Sequence, residues 1–325
     1  MQTDKLQLPQ WLLYALAGIG ASTTSYGLLQ GLRTVLTYTR PSKLPRYLHY
    51  PSGSWALVTG SSDGIGRGFA EELLSRGFNV VLHGRNEQKL QRLMRELSDK
   101  HKQRQLQILV ADATDTGVDF TGIKRQMQGL PGKLTVLVNN VGGIHSGKTY
   151  NTLDGYTSQQ LVDCINANAT FTTLITSALL PLLRDNGPSL ILNCGSIVTT
   201  VHPPYIATYA GTKGYIHTWA SSLRLEIKAQ GYDSQVEVLT AAIGNTASSG
   251  NTYEEDGSTL TARECAKACL DRVGCGHDVV IPHPKFLLFT LPFFILPTNL
   301  MKNVMIPIMK KRFDESEKAA ERKES

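Results

Sequence analysis

An alternation of two kinds of segment between Ser54 and Ile281 constrains this chain most. Short apolar runs recur along it, and stretches with a helical period separate them. Such alternation is typical of βαβ units and of a parallel sheet covered by helices on both faces. The predicted strands are Trp55–Thr59, Asn79–His83, Leu106–Ala111, Leu134–Asn139, Ser189–Cys194, Gln235–Thr240 and Asp278–Ile281. We therefore predict a single doubly wound α/β domain with a seven-stranded parallel sheet, whose ligands bind at the carboxyl ends of the strands.

Composition excludes several other classes of protein. With 41% hydrophobic and 18% charged residues, the chain has enough apolar material for a core and is not disordered. Its net charge of +6 is not gathered into a basic run, so we expect no nucleic-acid partner. The five cysteines match neither a disulfide framework nor the paired spacing of a zinc site, and no metal is expected.

The predicted domain uses only part of the 325 residues. We expect three parts: an N-terminal membrane anchor and basic linker over residues 1–50, a catalytic domain over 51–282, and a hydrophobic membrane-contacting segment with a charged tail over 283–325. The flanks therefore need an explanation of their own.

The N-terminal flank has no charged residue between positions 6 and 32, which is long enough for a membrane-spanning helix. Trp11, Tyr14 and Tyr38 lie toward its edges, where aromatic side chains settle at a membrane interface. Four basic residues follow between positions 33 and 46, whereas Lys5 alone precedes it. This asymmetry favours a cytosolic position for the rest of the chain. A cleaved signal peptide and a helix lying on a surface are the alternatives.

The C-terminal flank has a second apolar patch at residues 286–297. Pro292, Pro297 and Pro307 argue against one straight spanning helix. We interpret the patch as a membrane-contacting or re-entrant element, with a hydrophobic lid over a substrate site as the alternative. The last residues, Arg322–Ser325, resemble basic signals that retrieve membrane proteins to the endoplasmic reticulum, and a solvated tail is the alternative.

A glycine-rich turn follows the first strand and precedes a helix expected from about Ile65 to Arg76. Glycines let a backbone approach a pyrophosphate, and a helix N-terminus offers it unpaired N–H groups. The spacing is G-x3-G-x-G and not the familiar G-x-G-x-x-G, so a purely structural turn is the alternative. The candidate cofactor-binding residues here are Gly60, Ser62, Asp63, Gly64, Ile65 and Gly66.

The end of the second strand bears on which cofactor is bound. An acid at this place suits a free ribose 2′-hydroxyl, whereas an arginine suits a 2′-phosphate. The sequence here is His83-Gly84-Arg85-Asn86, without an acid. We therefore predict NADPH as the cofactor, with Arg85 at its 2′-phosphate; a solvated loop charge is the alternative.

Residues that could catalyse proton transfer follow the fifth strand. Ser196 lies just past it, and Tyr209 and Lys213 open the next helix on one face, four residues apart. Tyrosine ionises near pH 10, so proton exchange near neutrality benefits from an adjacent cation. A surface pair on a helix is the alternative for Tyr209 and Lys213 taken alone.

Together these residues resemble the short-chain dehydrogenase/reductase family. The matching elements are the Thr59–Gly66 loop, Asn139-Asn140-x-Gly142, Ser196, and Tyr209-x3-Lys213 thirteen residues after that serine. The resemblance implies that hydride passes from the nicotinamide to a carbonyl carbon while Tyr209 protonates the oxygen. Ser196 would hold that oxygen, and Lys213 would lower the tyrosine pKa and bind the nicotinamide ribose.

The resemblance also implies supporting roles. Asn168 would support a proton-relaying water, with Asn166 as the other candidate for that position. Asp112 would contact adenine, and Thr246 the nicotinamide amide. The remaining cofactor-binding candidates are Asn139, Asn140 and Gly142.

Within the family, the anchor-like N-terminus and the hydrophobic C-terminal segment resemble the endoplasmic-reticulum branch of very-long-chain 3-oxoacyl-CoA reductases and 17-beta-hydroxysteroid dehydrogenases. This implies an NADPH-dependent carbonyl reductase of lipophilic ketones, in the endoplasmic reticulum membrane with its catalytic domain facing the cytosol. Homo-oligomerisation is left open.

Two departures keep other functions open. Ala241-Ala242 replaces the family's usual Pro-Gly, and the loop over residues 244–260 is polar, with three acids at 254–256. A tailoring ketoreductase of polyketide or terpenoid secondary metabolism fits the same residues. A non-catalytic NADP-binding scaffold or sensor is the alternative of another class.

Overall fold

A computed structural model describes residues 9–51, 53–144, 149–248 and 259–324, with side chains up to residue 318. Lys5, the acids at 254–256 and Ser325 lie outside the described residues, as do the tail side chains from residue 319. The chain divides into two compact units, Met1–Pro41 and Ser42–Ser325. The first unit contains helix α1 (Gln10–Thr39), which has 30 residues. In the most apolar 18-residue stretch of this helix, no residue is buried inside the structure.

The second unit is built on the predicted seven-stranded sheet, which is confirmed. Its strands are β1 (Ser54–Val58), β2 (Asn79–Gly84), β3 (Leu106–Val110), β4 (Lys133–Asn139), β5 (Ser189–Ser196), β6 (Val236–Ile243) and β7 (Val279–Val280). All neighbouring strands are parallel, in the order β3-β2-β1-β4-β5-β6-β7. The order reverses between β1 and β4, which places a ligand crevice outside the carboxyl ends of these strands.

Helices cover both faces of this sheet. They are α2 (Gly64–Ser75), α3 (Glu87–Lys100), α4 (Phe120–Gln128), α5 (Ser158–Ile165), α6 (Phe171–Asp185), α7 (Val198–Val201), α8 (Ala207–Ala229) and α9 (Ala262–Asp271). Successive strand residues point to opposite faces, so Ala56 and Val58 join one core layer with α2, α3 and α9. Trp55 and Leu57 join the other layer with α4, α6 and α8.

The segment expected to be a basic linker packs into the second unit. Ser42 Oγ donates to the carbonyl of Leu270 at 2.6 Å, and Lys43 N donates to that of Val273 at 2.9 Å. Tyr47 is fully buried, and its hydroxyl donates to Glu237. The structure therefore divides the chain at Pro41, ahead of the predicted boundary at residue 50.

The C-terminal flank forms two helices, α10 (Pro284–Ile295) and α11 (Thr298–Glu324), separated at Pro297. Pro292 and Pro307 lie inside the helices. Phe286 of α10 and Met309 of α11 are almost fully buried. Other apolar side chains of these helices are exposed, among them Leu288, Phe294, Ile295, Leu300 and Ile306.

The Ala241-Ala242 pair lies within β6. Alanine keeps the backbone N–H that proline lacks. Strand β6 stays paired with β5 through these residues to the Ser196–Ile243 pair, and Ile197 N donates to the Ile243 carbonyl at 3.0 Å. Strand β6 is therefore aligned with the strand that carries Ser196 up to its last residue.

Candidate active site

A cleft of about 550 Å³ lies at the carboxyl ends of β1, β4, β5 and β6. One part is lined by predicted cofactor residues, namely Gly60, Asp63, Gly64, Ile65, Asn140, Gly142 and Thr246. Ser196, Tyr209 and Lys213 line it too. Apolar side chains complete it, including Tyr150, Val198, Ile206, Phe286, Phe289, Met305 and Met309. The cleft therefore joins the expected cofactor loop, the expected catalytic residues and an apolar wall.

The turn between β1 and α2 is held in a conformation that glycine favours. Gly60 has a φ of +64°, and a Cβ on Gly66 would collide with the carbonyl oxygen of Gly60. Asp63 caps α2 by accepting a hydrogen bond from Gly64 N at 2.6 Å. The turn thus brings a bare backbone and a helix N-terminus to the edge of the cleft.

His83 supports this turn and was not identified from the sequence. It is completely buried, and its Nδ1 accepts a hydrogen bond from Gly60 N at 3.1 Å. Burial lowers the pKa of His83 to about 4, so the ring is neutral and can accept this bond at neutral pH. Its position at the end of β2 could have pointed to it, because parallel strands bring that end beside the turn after β1.

Arg85 and Asp112 meet at the edge of the sheet. Arg85 Nη1 lies 3.8 Å from Asp112 Oδ2, with side chains 67% and 40% exposed. Asp112 Oδ1 also accepts from Thr114 N at 3.0 Å. Ser62 lies nearby, since its Oγ would be 3.5 Å from a Cβ on Gly84. The structure therefore brings together Arg85 and Asp112, which are expected at the 2′-phosphate and at adenine, and places Ser62 of the glycine turn near them. None of the three lines the cleft itself.

The two asparagines after β4 have different surroundings. The amide of Asn139 is buried and donates to Thr176 Oγ1 and Asn193 Oδ1, both at 2.9 Å. Asn140 lines the cleft, and its Nδ2 donates to the Thr59 carbonyl at 2.9 Å. Asn140 thus ties β4 to the glycine turn. The side chain of Asn139 does not line the cleft and bridges β4 to β5 and α6.

Ser196, Tyr209 and Lys213 come together beside the cleft. The hydroxyl of Tyr209 is hydrogen-bonded to Ser196. Lys213 Nζ lies 5.6 Å from the centroid of the Tyr209 ring and donates to the carbonyl of Cys194 at 3.0 Å. Helix α8 carries Tyr209 and Lys213 one turn apart, and β5 ends at Ser196. The arrangement provides a proton donor, a second hydroxyl and a buried cation.

Burial dominates the protonation of these groups. It raises the pKa of Tyr209 to about 12, although the hydrogen bond with Ser196 acts in the opposite direction. Burial lowers the pKa of Lys213. In the protein without cofactor or substrate, Lys213 does not cancel this rise in the pKa of Tyr209. Tyr209 is therefore protonated at neutral pH and able to donate.

Asn168 lies in a π-helical turn, Asn166–Thr170, between α5 and α6. Such turns are frequent at functional sites. Its buried amide accepts from Gly143 N at 3.0 Å and donates to the Gly143 carbonyl at 2.7 Å. A Cβ on Gly142 would collide with Asn168 Oδ1 and lie 3.3 Å from Lys213 Nζ. A glycine at position 142 therefore lets Asn168 and Lys213 converge.

Asn166 has a different environment. Its Nδ2 donates to the Thr114 carbonyl at 3.1 Å. Of the two candidates for the supporting asparagine, Asn168 is the one that the structure places beside Lys213.

His217 is a further residue that was not identified from the sequence. It lies one turn beyond Lys213 on α8, and its Nε2 accepts from Ser196 N at 3.3 Å. A Cβ on Gly195 would collide with this ring, so the glycine gives His217 access to the backbone of Ser196. Burial lowers the pKa of His217 to about 4, which keeps it a neutral acceptor. The spacing of 209, 213 and 217 on one helix face was the available signal.

Thr246 and the C-terminal helices close another side of the cleft. Thr246 is buried, and its hydroxyl donates to the Gly244 carbonyl at 3.2 Å. Gly244 packs against the Phe286 ring, with which any Cβ would collide. Met305 and Met309 cluster with Tyr150, Ile206 and Tyr209. The C-terminal flank thus forms an apolar wall next to Tyr209.

Metal ligation is not indicated by the geometry. In the ranges that the structure describes, no group of three His, Cys, Asp or Glu side chains could hold a metal ion.

Comparison with known sequences finds one family match and many relatives. Residues 54–257 match the family described as short chain dehydrogenase. A very-long-chain 3-oxoacyl-CoA reductase of Pyricularia oryzae is 32% identical over 269 residues, which are 82% of this chain and 79% of that protein. Its namesake in Debaryomyces hansenii is 35% identical over 242 residues, which are 71% of this chain and 68% of that protein.

Solved structures show the same fold. A short-chain dehydrogenase from Sphingobium yanoikuyae in complex with NADPH has a TM-score of 0.60 and 25% identity, covering 70% of this chain and 87% of that one. A 7beta-hydroxysteroid dehydrogenase has a TM-score of 0.67 and 18% identity, covering 78% and 97%. At 18% identity the second comparison bears on the fold alone.

Proposed function

Because the chain belongs to the short chain dehydrogenase family, we propose that it is an NADPH-dependent reductase that converts the ketone of a lipophilic 3-oxoacyl-CoA to an alcohol. The observation that carries the proposal is the convergence of Tyr209, Ser196 and Lys213 at a cleft with an apolar wall. The names of the relatives support the substrate class.

The described residues fit the cofactor. The N-terminus of α2 and the side-chain-free turn at Gly60 and Gly66 suit a pyrophosphate. Lys213 is a buried cation that uses one of its three N–H groups on the Cys194 carbonyl, which leaves donors for ribose hydroxyls. Arg85, next to Asp112, would hold the 2′-phosphate. Thr246 and Asn140 would border the nicotinamide end.

The chain's own residues position and protonate the substrate. When bound, NADPH supplies the hydride for the carbonyl carbon. Ser196 donates a hydrogen bond to the substrate oxygen, and Tyr209 transfers its phenolic proton to that oxygen. Lys213 stabilises the phenolate left on Tyr209. Asn168, whose amide is hydrogen-bonded to the backbone of Gly143, holds the segment beside Lys213 through which a water can resupply the proton.

The test of this function is a spectrophotometric assay of NADPH oxidation with a panel of lipophilic ketones. We expect turnover with long-chain 3-oxoacyl-CoA esters. If no ketone of the panel is turned over although NADPH binds normally, the result would support a non-catalytic scaffold or sensor. Preferential turnover of polyketide or terpenoid ketones would support a tailoring reductase. Preferential turnover of steroid ketones would support a steroid dehydrogenase.

Arg85 provides a prediction about the cofactor. Arg85→Asp is expected to reduce the preference for NADPH over NADH by about ten-fold or more, because the charge-assisted contact to the 2′-phosphate is replaced by repulsion. The measurement is kcat/KM with each cofactor. Arg92→Asp makes the same charge change at an exposed position of α3 and should not alter the preference. A wild type that prefers NADH would contradict the assignment.

Helix α1 supports membrane anchoring. Its 30 residues span about 45 Å, enough to cross a bilayer. Its large apolar side chains are exposed, among them Trp11, Leu13, Leu16, Ile19 and Leu28. We propose that it anchors the protein in the endoplasmic reticulum membrane with the second unit in the cytosol. Lipophilic substrates partition into the same bilayer, which makes an anchor useful.

Deletion of residues 1–41 tests the anchor. Because Ser42–Ser325 is a compact unit of its own, the truncated protein is expected to fold. It should move from the membrane pellet to the supernatant and retain turnover of water-soluble ketones. Retention in the pellet would assign membrane binding to the exposed apolar residues of α10 and α11, such as Leu288 and Ile295.

A further inference from the structure

Helix α11 contributes a regular stripe of side chains to the cleft. Met305, Met309 and Arg312 all line it, at the i, i+4 and i+7 spacing that places residues on one helix face. Met305 and Met309 are buried and cluster with Tyr209. The stripe is therefore apolar for its first two positions and cationic at the third.

The packing next to Arg312 holds this face toward the cleft. The ring of Phe313 stacks on that of Tyr205, with centroids 4.7 Å apart and planes 14° apart. Tyr205 has a φ of 67°, which is unfavourable for a side-chain-bearing residue and persists only where the surroundings hold it. Its carbonyl accepts from Asn151 N at 3.0 Å. The last turn of the stripe is thus anchored to the segment that leads into α8.

The charges around the cleft are distributed unequally. Among the described residues that line it, the charged ones are Asp63, Lys213 and Arg312. Asp63 caps α2 at the glycine turn, and Lys213 lies beside Tyr209. Arg312 is the charged side chain that lines the cleft on the apolar wall formed by α10 and α11. A guanidinium forms its strongest contacts with phosphate and carboxylate oxygens, often two at a time.

We propose that Arg312 binds an anionic group carried by the substrate itself, a phosphate of the carrier to which the 3-oxoacyl chain is joined. This inference rests on the proposed function and makes the substrate class specific. Seven residues of helix separate Met305 from Arg312, about 10 Å along the axis. A neutral part of the substrate would lie along the two methionines, with its anion at the arginine. A neutral steroid ketone has no group for this contact.

The test compares a 3-oxododecanoyl-CoA ester with its uncharged N-acetylcysteamine thioester in the full-length protein. Arg312→Met is expected to raise KM for the CoA ester about ten-fold or more while kcat changes little, because a charge-assisted contact is lost. KM for the uncharged thioester should not change, and Arg312→Lys should recover part of the loss. Lys311→Met is the matched control, since its side chain is 79% exposed on the same helix turn.

Two results would overturn the inference. One is an equal KM increase for both thioesters, which would assign Arg312 a structural role. The other is an unchanged KM for the CoA ester in Arg312→Met. Calorimetric titration of coenzyme A into NADP-loaded protein gives an independent result. If neither thioester is reduced, the proposed function fails, and a loss of coenzyme A affinity in Arg312→Met but not in Lys311→Met still decides the inference.

Discussion

Tyr209→Phe is expected to lower kcat by a factor on the order of 10² to 10⁴, because it removes the proton donor and leaves the ring in place. Burial keeps this phenol protonated at neutral pH, and its hydrogen bond with Ser196 places it beside the second hydroxyl of the site. The NADPH dissociation constant should change little. Steady-state kinetics and fluorescence titration of NADPH measure the two effects separately.

Tyr215→Phe is the matched control for this variant. It makes the same chemical change on the same helix, at a residue that does not line the cleft and whose hydroxyl bonds to Thr173 at 2.9 Å. We expect kcat within about two-fold of the wild type, as for most surface substitutions. Near-normal kcat in Tyr209→Phe would show that another group supplies the proton and would contradict the mechanism.

Gly66→Ala is expected to weaken NADPH binding about ten- to hundred-fold, because the new methyl group forces the turn and helix α2 apart. The added Cβ would collide with the Gly60 carbonyl oxygen and would lie 2.6 Å from Asn140 Nδ2. Both neighbours belong to the site, so neither can move without disturbing it. Titration of the protein with NADPH measures the affinity.

Gly214→Ala is the control, because a Cβ at this position in α8 meets nothing within 4 Å. Alanine is the better helix former, so this variant should bind NADPH normally and melt at the same temperature or higher. Thermal melts with and without NADP separate lost affinity from lost folding, since only bound cofactor raises the melting temperature. Unchanged NADPH affinity in Gly66→Ala would contradict the role assigned to the turn.

The sheet could be predicted because the sequence pattern of each strand is local. Each strand is a short apolar run, and the alternation with helices implies parallel pairing. The glycine turn and Ser196 could be placed for a related reason, because parallel strands bring their carboxyl ends to one edge of the sheet. Tyr209 and Lys213 lie on α8, beyond the end of β5, and were assigned through the resemblance to the short-chain dehydrogenase/reductase family.

Other parts of the site depend on contacts that no local pattern shows. The Asn139 amide faces a neighbouring strand and α6, although its sequence neighbour Asn140 faces the cleft. The π-helical turn that carries Asn168 interrupts what reads as continuous helix. The role of α11 was also hidden, because the packing of Met305 and Met309 near Tyr209 joins segments almost a hundred residues apart.

The apolar wall formed by α10 and α11 has a consequence for the order in which the site is completed during synthesis. The glycine turn, Asn140 and Lys213 are all translated before these helices, whereas Tyr209 acquires its methionine neighbours only afterwards. A nascent chain can therefore form the glycine turn and the surroundings of Lys213 before the apolar wall next to Tyr209 has left the ribosome. Under the proposed function, substitutions at Met305 or Met309 would change which ketone is accepted, whereas Phe286 of α10 packs against Gly244 and also supports the part of the cleft near Thr246.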